Sequence, residues 1–547
     1  MKPLQLAKTA TTVGSASTKA TVSVSSGGDL EIASDLTLGE EAGSKGKLKV
    51  SGAGSQVSVG GDATLGEAGK GTLTMMGGAL SVAGALTLGE NKGSSGKLTL
   101  SDATVSITGD LDIGKAGSGS ARVQLGSVLK SEAIELGGAL GAKGSLTISG
   151  AGTSVTTGET TIGAGGTGTL KVTSGGLLTT NGDATIGSVA IGAIVSASLN
   201  TGGQWLVSGE LDVGDSGAGT LSIAGKGTLV TAGGDMTIGG AAGGTVTLGS
   251  TTAASSAQLK WENLLTVGEG AQGTLTINAG DKVSALAGGA GQVAIGADAG
   301  SSGAVSLAGA GASLSGKSLF VGGTSSKAGG TGSLSISAGA TTTFANATIW
   351  ATGKATDAGV LSISGPLSGS GSVQISGAGQ FTLGGSDSTV GIDFVSGGSN
   401  ERLNLSAAHL PSVEIKGFGA HDTIDVSGLS PSDTIGVSYK GSVATVRFLE
   451  AGKTVGSLLF AMKAGQGAFH FDATDGALTF APNAASETVL RASELIAQAS
   501  AYVLPLDVLL ANSASVAFPT GALDPFVGDL MLAGHSGEAF LSAHPFP

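Results

Sequence analysis

The chain has 547 residues, 100 of them glycine, with 40% hydrophobic residues, only 12% charged residues and a formal net charge of −13. That balance argues against nucleic acid, which needs a basic footprint to release counterions, and against adsorption to anionic lipid. With no cysteine, disulfides and thiolate metal sites are excluded.

Residues 1–19 form a polar N-terminal segment. It lacks the 7–15-residue apolar run of a Sec-type signal peptide, so export is expected by a type I or other signal-peptide-independent route. No stretch of the chain reaches about 18 uninterrupted apolar residues, and no transmembrane helix is expected.

From 20 to 355 the sequence repeats. The motif "LTLG" at Leu36–Gly39 returns as "ATLG" at Ala63–Gly66 and "LTLG" at Leu86–Gly89. Twelve such glycines, from Gly39 to Gly322, recur with a mean spacing of about 26 residues, the range of stacked architectures. Each period holds three short runs of alternating apolar and small polar residues, such as Ala63–Leu65, Gly71–Met75 and Ala79–Val82. Gly-rich pairs separate the runs. Three strands and three turns make one rung of an all-β, right-handed parallel β-helix of about 12 or more rungs. Leu, Val and Ile then stack in inward ladders, each side chain worth roughly 1.5–3 kcal/mol when buried. Proline, which would delete a ladder hydrogen bond, is missing between Pro3 and Pro366, and no Phe, Tyr or Trp precedes Trp205. The narrow interior is expected to exclude aromatics. The recurrent glycine is expected at a corner with φ > 0.

Residues 356–482 continue the strands, from Val360–Ile363 to Ala477–Phe480. Pro, Phe and His now appear, which suggests terminal rungs closed by an aromatic-containing β module. Residues 483–547 form a proline-bearing apolar tail, with helical spacing over 486–500, and this tail is a candidate secretion signal.

The repeat "ATLGEAGKGTLTMMGGALSVAGALTLGE" (Ala63–Glu90) resembles the β-strand repeats associated with type V (autotransporter) secretion and with PEP-CTERM proteins of bacteria. That resemblance implies β-helical stalks of secreted or surface-bound, adhesin-like proteins. The tail is too short for an autotransporter membrane barrel and has no Pro-Glu-Pro motif. "GFGAHDTIDVSGL" (Gly417–Leu429) and "FHFDATDGALTF" (Phe469–Phe480) are similar to C-terminal modules of large secreted repeat proteins, many of which leave by a type I route.

Acids recur four residues before the anchor glycine, at Asp35, Asp62, Asp110, Glu159, Asp183, Glu210 and Asp235, and Glu40, Glu67 and Glu90 follow the first three anchors. Stacked vertically, such carboxylates offer weak Ca²⁺ sites, or else solvated turn positions. Asp422 and Asp425 beside His421, and Asp472 and Asp475 beside His470, are the densest titratable groups, and Asp422 and Asp425 join the candidate Ca²⁺ ligands. No nucleophile elbow, P-loop or H-E-x-x-H motif is present, so no catalytic residue is assigned. The expected function is a non-catalytic extracellular stalk or adhesin. Its partners would be a host or cell-surface glycan or protein, or further copies of the chain. A polysaccharide-active β-helix enzyme and a self-assembling surface or biofilm-matrix component are the alternatives.

Overall fold

A computed structural model of the chain describes residues 4–6 (backbone only), 10–189, 195–250, 255–385, 389–395 and 400–483. The helix expected over 486–500, and the tail from 484 onward, lie outside the described residues. Over the described residues the chain is all-β, with 57% strand and 1% helix, coiled into a right-handed parallel β-helix of about 16 turns.

Each turn visits three faces in order. Face 1 takes strands such as Ala79–Val82, face 2 strands such as Leu86–Leu88, and face 3 strands such as Ser95–Ser101. Stacking makes sheets of 20, 15 and 16 strands. The register holds from rung to rung: Leu65 pairs with Leu88 and Leu88 with Ile113, while Leu73 pairs with Leu98 and Leu98 with Ala121. Alternation along each strand sends these residues inward, and they merge into one continuous buried core. The coil begins within the N-terminal segment, where Leu4–Leu6 and Thr11–Val13 already pair in parallel with the next turn.

The corner between faces 2 and 3 explains the glycine period. Gly89 adopts φ +73°, and a Cβ there would overlap the Ser118 carbonyl. A second recurrent glycine completes the corner. Gly96 points inward from face 3, and a Cβ on it would collide with the Leu65 carbonyl and the Gly89 nitrogen. All twelve anchor glycines have positive φ, and Gly14 adds a thirteenth in the first turn.

The interior does admit aromatics, against expectation, and the largest fully buried ones in the coil enter from face 1. Trp205, Trp261, Phe344 and Phe381 are fully buried. Space and polar partners are supplied locally. Thr180, inward on the rung beside Trp205, accepts the indole N–H at 3.1 Å, and the Trp261 indole donates to the Gln292 carbonyl at 3.0 Å.

Face 2 ends at Leu367–Gly369, face 3 at Gly391–Phe394, and the parallel part of face 1 at Thr423–Ser427. The open end is then closed by antiparallel structure. Strands Thr434–Lys440, Val443–Glu450 and Lys453–Ala461 form an antiparallel sheet that Glu414–Ile415 extends in parallel, and the hairpin of Gly467–Asp472 with Ala477–Pro482 joins face 1 through Ile424 and Leu478. Rings bridge this end in sequence: Phe394–Phe418 at 5.3 Å, Phe418–Phe460 at 5.2 Å, Phe460–Phe469 at 4.9 Å and Phe469–Phe480 at 5.2 Å.

Candidate functional site

Face 2 gathers most of the acids singled out from the sequence. Its strands are short, so only two outward positions and the flanking corner remain, and side chains of successive rungs stand about 4.8 Å apart. The column four residues before the anchor holds Asp35, Asp62, Asp110, Glu159, Asp183, Glu210 and Asp235. The corner position after the anchor holds Glu40, Glu67, Glu90, Asp215 and Glu269. Between them a third column, two residues before the anchor, is mostly threonine but carries Asp112, Glu135 and Asp212.

The first column has a structural task. Asp35 accepts the Asp62 backbone N–H at 2.9 Å, Asp62 that of Ala85 at 2.8 Å, Asp183 that of Glu210 at 2.9 Å and Asp235 that of Leu264 at 3.2 Å. Each carboxylate thus caps the same slot on the following rung, satisfying a corner donor. The glycine before that slot makes room: a Cβ on Gly61, Gly84 or Gly209 would fall on the oxygen of Asp35, Asp62 or Asp183. Asp110 is followed on the next rung by Glu132 in place of this glycine.

The middle column is half-buried, and burial raises its acids. Asp212 is pushed up to about 6 by burial, with repulsion from Asp215 and Glu210 adding to it. Burial likewise raises Asp112 and Glu135, and Lys115 opposes the rise in both. Lys115 sits between rungs, 3.3 Å from Glu90 and 3.7 Å from Asp112.

Asp422 and Asp425 do not converge. Asp425 points outward from face 1 and pairs with Arg402 at 3.0 Å. Asp422 points inward, 2% exposed, and takes the Gly419 N–H at 2.7 Å. Its neighbour is Glu401, which sequence reading missed. Arg402 pairs with Thr423 in register, so Glu401 and Asp422 occupy one slot on adjacent rungs. Four earlier rungs fill that slot with Ser55, Ser127, Thr153 or Thr228, whose hydroxyls donate to their own turn and accept from the rung before, and one fills it with Asp281, which accepts the Ala257 N–H at 2.8 Å and is raised by burial. Burial and the second carboxyl push Glu401 up to about 8, and burial also raises Asp422. The two acids lie within hydrogen-bonding reach of one another and contend for one proton. A further internal acid, Asp357, stands in an aliphatic ladder between Ile336 and Ile375 and is pushed up to about 7 by burial.

His421 and His470 are exposed, and Asp472 and Asp475 lie at the turn of the terminal hairpin, where Asp472 accepts the Thr474 N–H at 2.9 Å. Among the described residues no group of three or more His, Asp or Glu converges on a common point. A recess of about 380 Å³ between Ala407–Ser412 and Val455–Leu459 has no titratable group in its lining. No helix among the described residues is long and apolar enough to cross a membrane.

Compared with known proteins, the chain matches no family model and no curated relative.

Proposed function

We propose that this protein is a non-catalytic structural stalk or adhesin module, exported to the cell exterior by a signal-peptide-independent route, that works by rigid display and many weak contacts. The observation that carries this reading is the unbroken in-register ladder over about 16 turns. Neighbouring rungs share backbone hydrogen bonds on three faces around a filled aliphatic interior, which resists bending. At the strand spacing this length is on the order of 75 Å. Outward side-chain types recur along the columns, with breaks, so a ligand held weakly by one rung can be held by several, and avidity comes from effective concentration. The resemblance of the repeat to autotransporter and PEP-CTERM-associated repeats supports the surface location.

The acid columns of face 2 give this reading a Ca²⁺-linked form, in which carboxylate oxygens not engaged by backbone N–H groups take the cation weakly. A glycan array probed with the full chain, with and without Ca²⁺, tests it. The expected result is retention of a restricted glycan set, with a thermal shift in Ca²⁺. Depolymerisation of a polysaccharide substrate would overturn the non-catalytic reading.

A further inference from the structure

Charge is divided between the faces of the coil, and the division follows the rungs. The seven face 3 strands from Lys19–Ser25 to Thr167–Thr173 contain no carboxylate. Their outward positions carry cations in three columns. One column runs Lys19, Lys45, Lys70 and, three rungs on, Lys143. The next holds Lys47 and, two rungs on, Lys97. The third holds Lys49, Arg122 and Lys171. All nine are exposed, and none takes part in the ion pairs found among the described residues. Between them stand serines, threonines, a methionine and a glutamine. From Ser196 to Ile336 the strands of face 3 carry no charge at all. Face 2 over the same first turns is the inverse: the acid columns described above, with Lys115 as the cation between them.

We propose that this basic stretch of face 3 is the docking surface for the acidic face 2 of a second copy of the chain, so that coils pack side by side with their rungs aligned. Three features of the structure favour that occupant. The charges are complementary. Both faces repeat at the same strand spacing of about 4.8 Å, so one aligned contact recurs at each rung. The columns within a face repel one another and gain from an opposed counter-face. Pairing like faces would set lysine on lysine or carboxylate on carboxylate. The contact is therefore heterologous, and each copy keeps one free donor face and one free acceptor face. Such contacts extend into open arrays instead of closing as dimers. The net charge of −13 repels copies at a distance, but with a Debye length of about 8 Å at physiological salt the opposed faces govern at contact. This goes beyond the stalk reading, since it names the partner and the face.

Sedimentation velocity of the full chain tests the proposal, in about 50 and about 500 mM NaCl. The wild type is expected to sediment faster as concentration rises at low salt and to lose most of that dependence at high salt. K45E/K47E/K49E/K70E changes only outward side chains and is expected to weaken association about tenfold or more. E40K/E67K, which leaves the capping aspartates intact, is expected to do the same. Mixing the two variants sets an acidic face 3 against a basic face 2 and is expected to restore association. A wild type whose sedimentation is independent of concentration at low salt, a lysine variant that associates like wild type, or a mixture that fails to recover overturns the proposal. A monomeric wild type that binds polygalacturonate through the same lysines would assign the face to an acidic glycan, and would also overturn it.

Discussion

Asp62 and Gly84 form the smallest unit of this architecture. The carboxylate caps the Ala85 N–H one rung on, and the glycine leaves room for its oxygen. D62A removes the acceptor of a corner donor and is expected to cost about 1 kcal/mol. G84A drives a methyl group into the Asp62 carboxylate and is expected to cost about as much or more. In the double variant D62A/G84A the methyl takes the vacated space, so the two effects should sum to less than additive, with a coupling of about 0.5 kcal/mol or more. Thermal melts of the four proteins measure it; strict additivity would mean the pair is not one unit. The aspartate was legible in the sequence as a periodic slot. Its task was not, because the group it serves belongs to a backbone some 25 residues away that only stacking brings near.

Rungs of three short strands were readable in chain order, since alternation marks a half-buried strand. Thr434–Lys440 escaped that reading. It is the edge strand of the terminal sheet, and its alternating Ile435, Val437 and Tyr439 stay half-buried or exposed, so the alternation marks no buried face. The internal acids escaped for a different reason. Asp357 stands in a slot that neighbouring rungs fill with isoleucine, and Glu401 stands beside Asp422 in a slot that the preceding rungs fill with glycine or alanine. Local sequence does not reveal which rung a turn residue will face. These acids set a pH dependence. Asp357 moves from its ordinary 3.8 to about 7, and Glu401 from 4.5 to about 8. Their folded values lie above their unfolded ones, so the native state holds extra protons between about pH 4 and 8, and stability falls as pH rises through that window. For Asp357 alone the loss is on the order of 4 kcal/mol. D357N/E401Q keeps the shapes without the ionisation. Its melting temperature is expected to change much less than that of wild type between pH 5 and 8.5, and parallel pH profiles for the two proteins would refute the assignment.

Across the whole molecule each rung contacts chiefly the rungs above and below it, so damage should stay local. G89V tests this. Valine resists the left-handed conformation at φ +73° and overlaps the Ser118 carbonyl. Amide exchange is expected to speed up over roughly residues 63–124, the turns that flank this corner, while rungs beyond about 260 keep wild-type protection. Uniform loss of protection along the chain would mean that the coil unfolds as one cooperative body.

The sequence by itself determined the coil: period-two alternation recurring about every 26 residues, with a glycine at each corner, permits stacking in few other ways. It also determined that acids recur in two slots, four residues before the anchor glycine and just after the first three anchors. Only the tertiary structure decided which side chains meet. Neighbours across rungs are separated by a full period, and only the stacked register says which position faces which. It places Glu401 beside Asp422, sets Asp425 against Arg402, and brings Trp205 to the small Thr180. The charge of the chain was countable from its composition, but its division into a basic face and an acidic face exists only once the rungs are stacked.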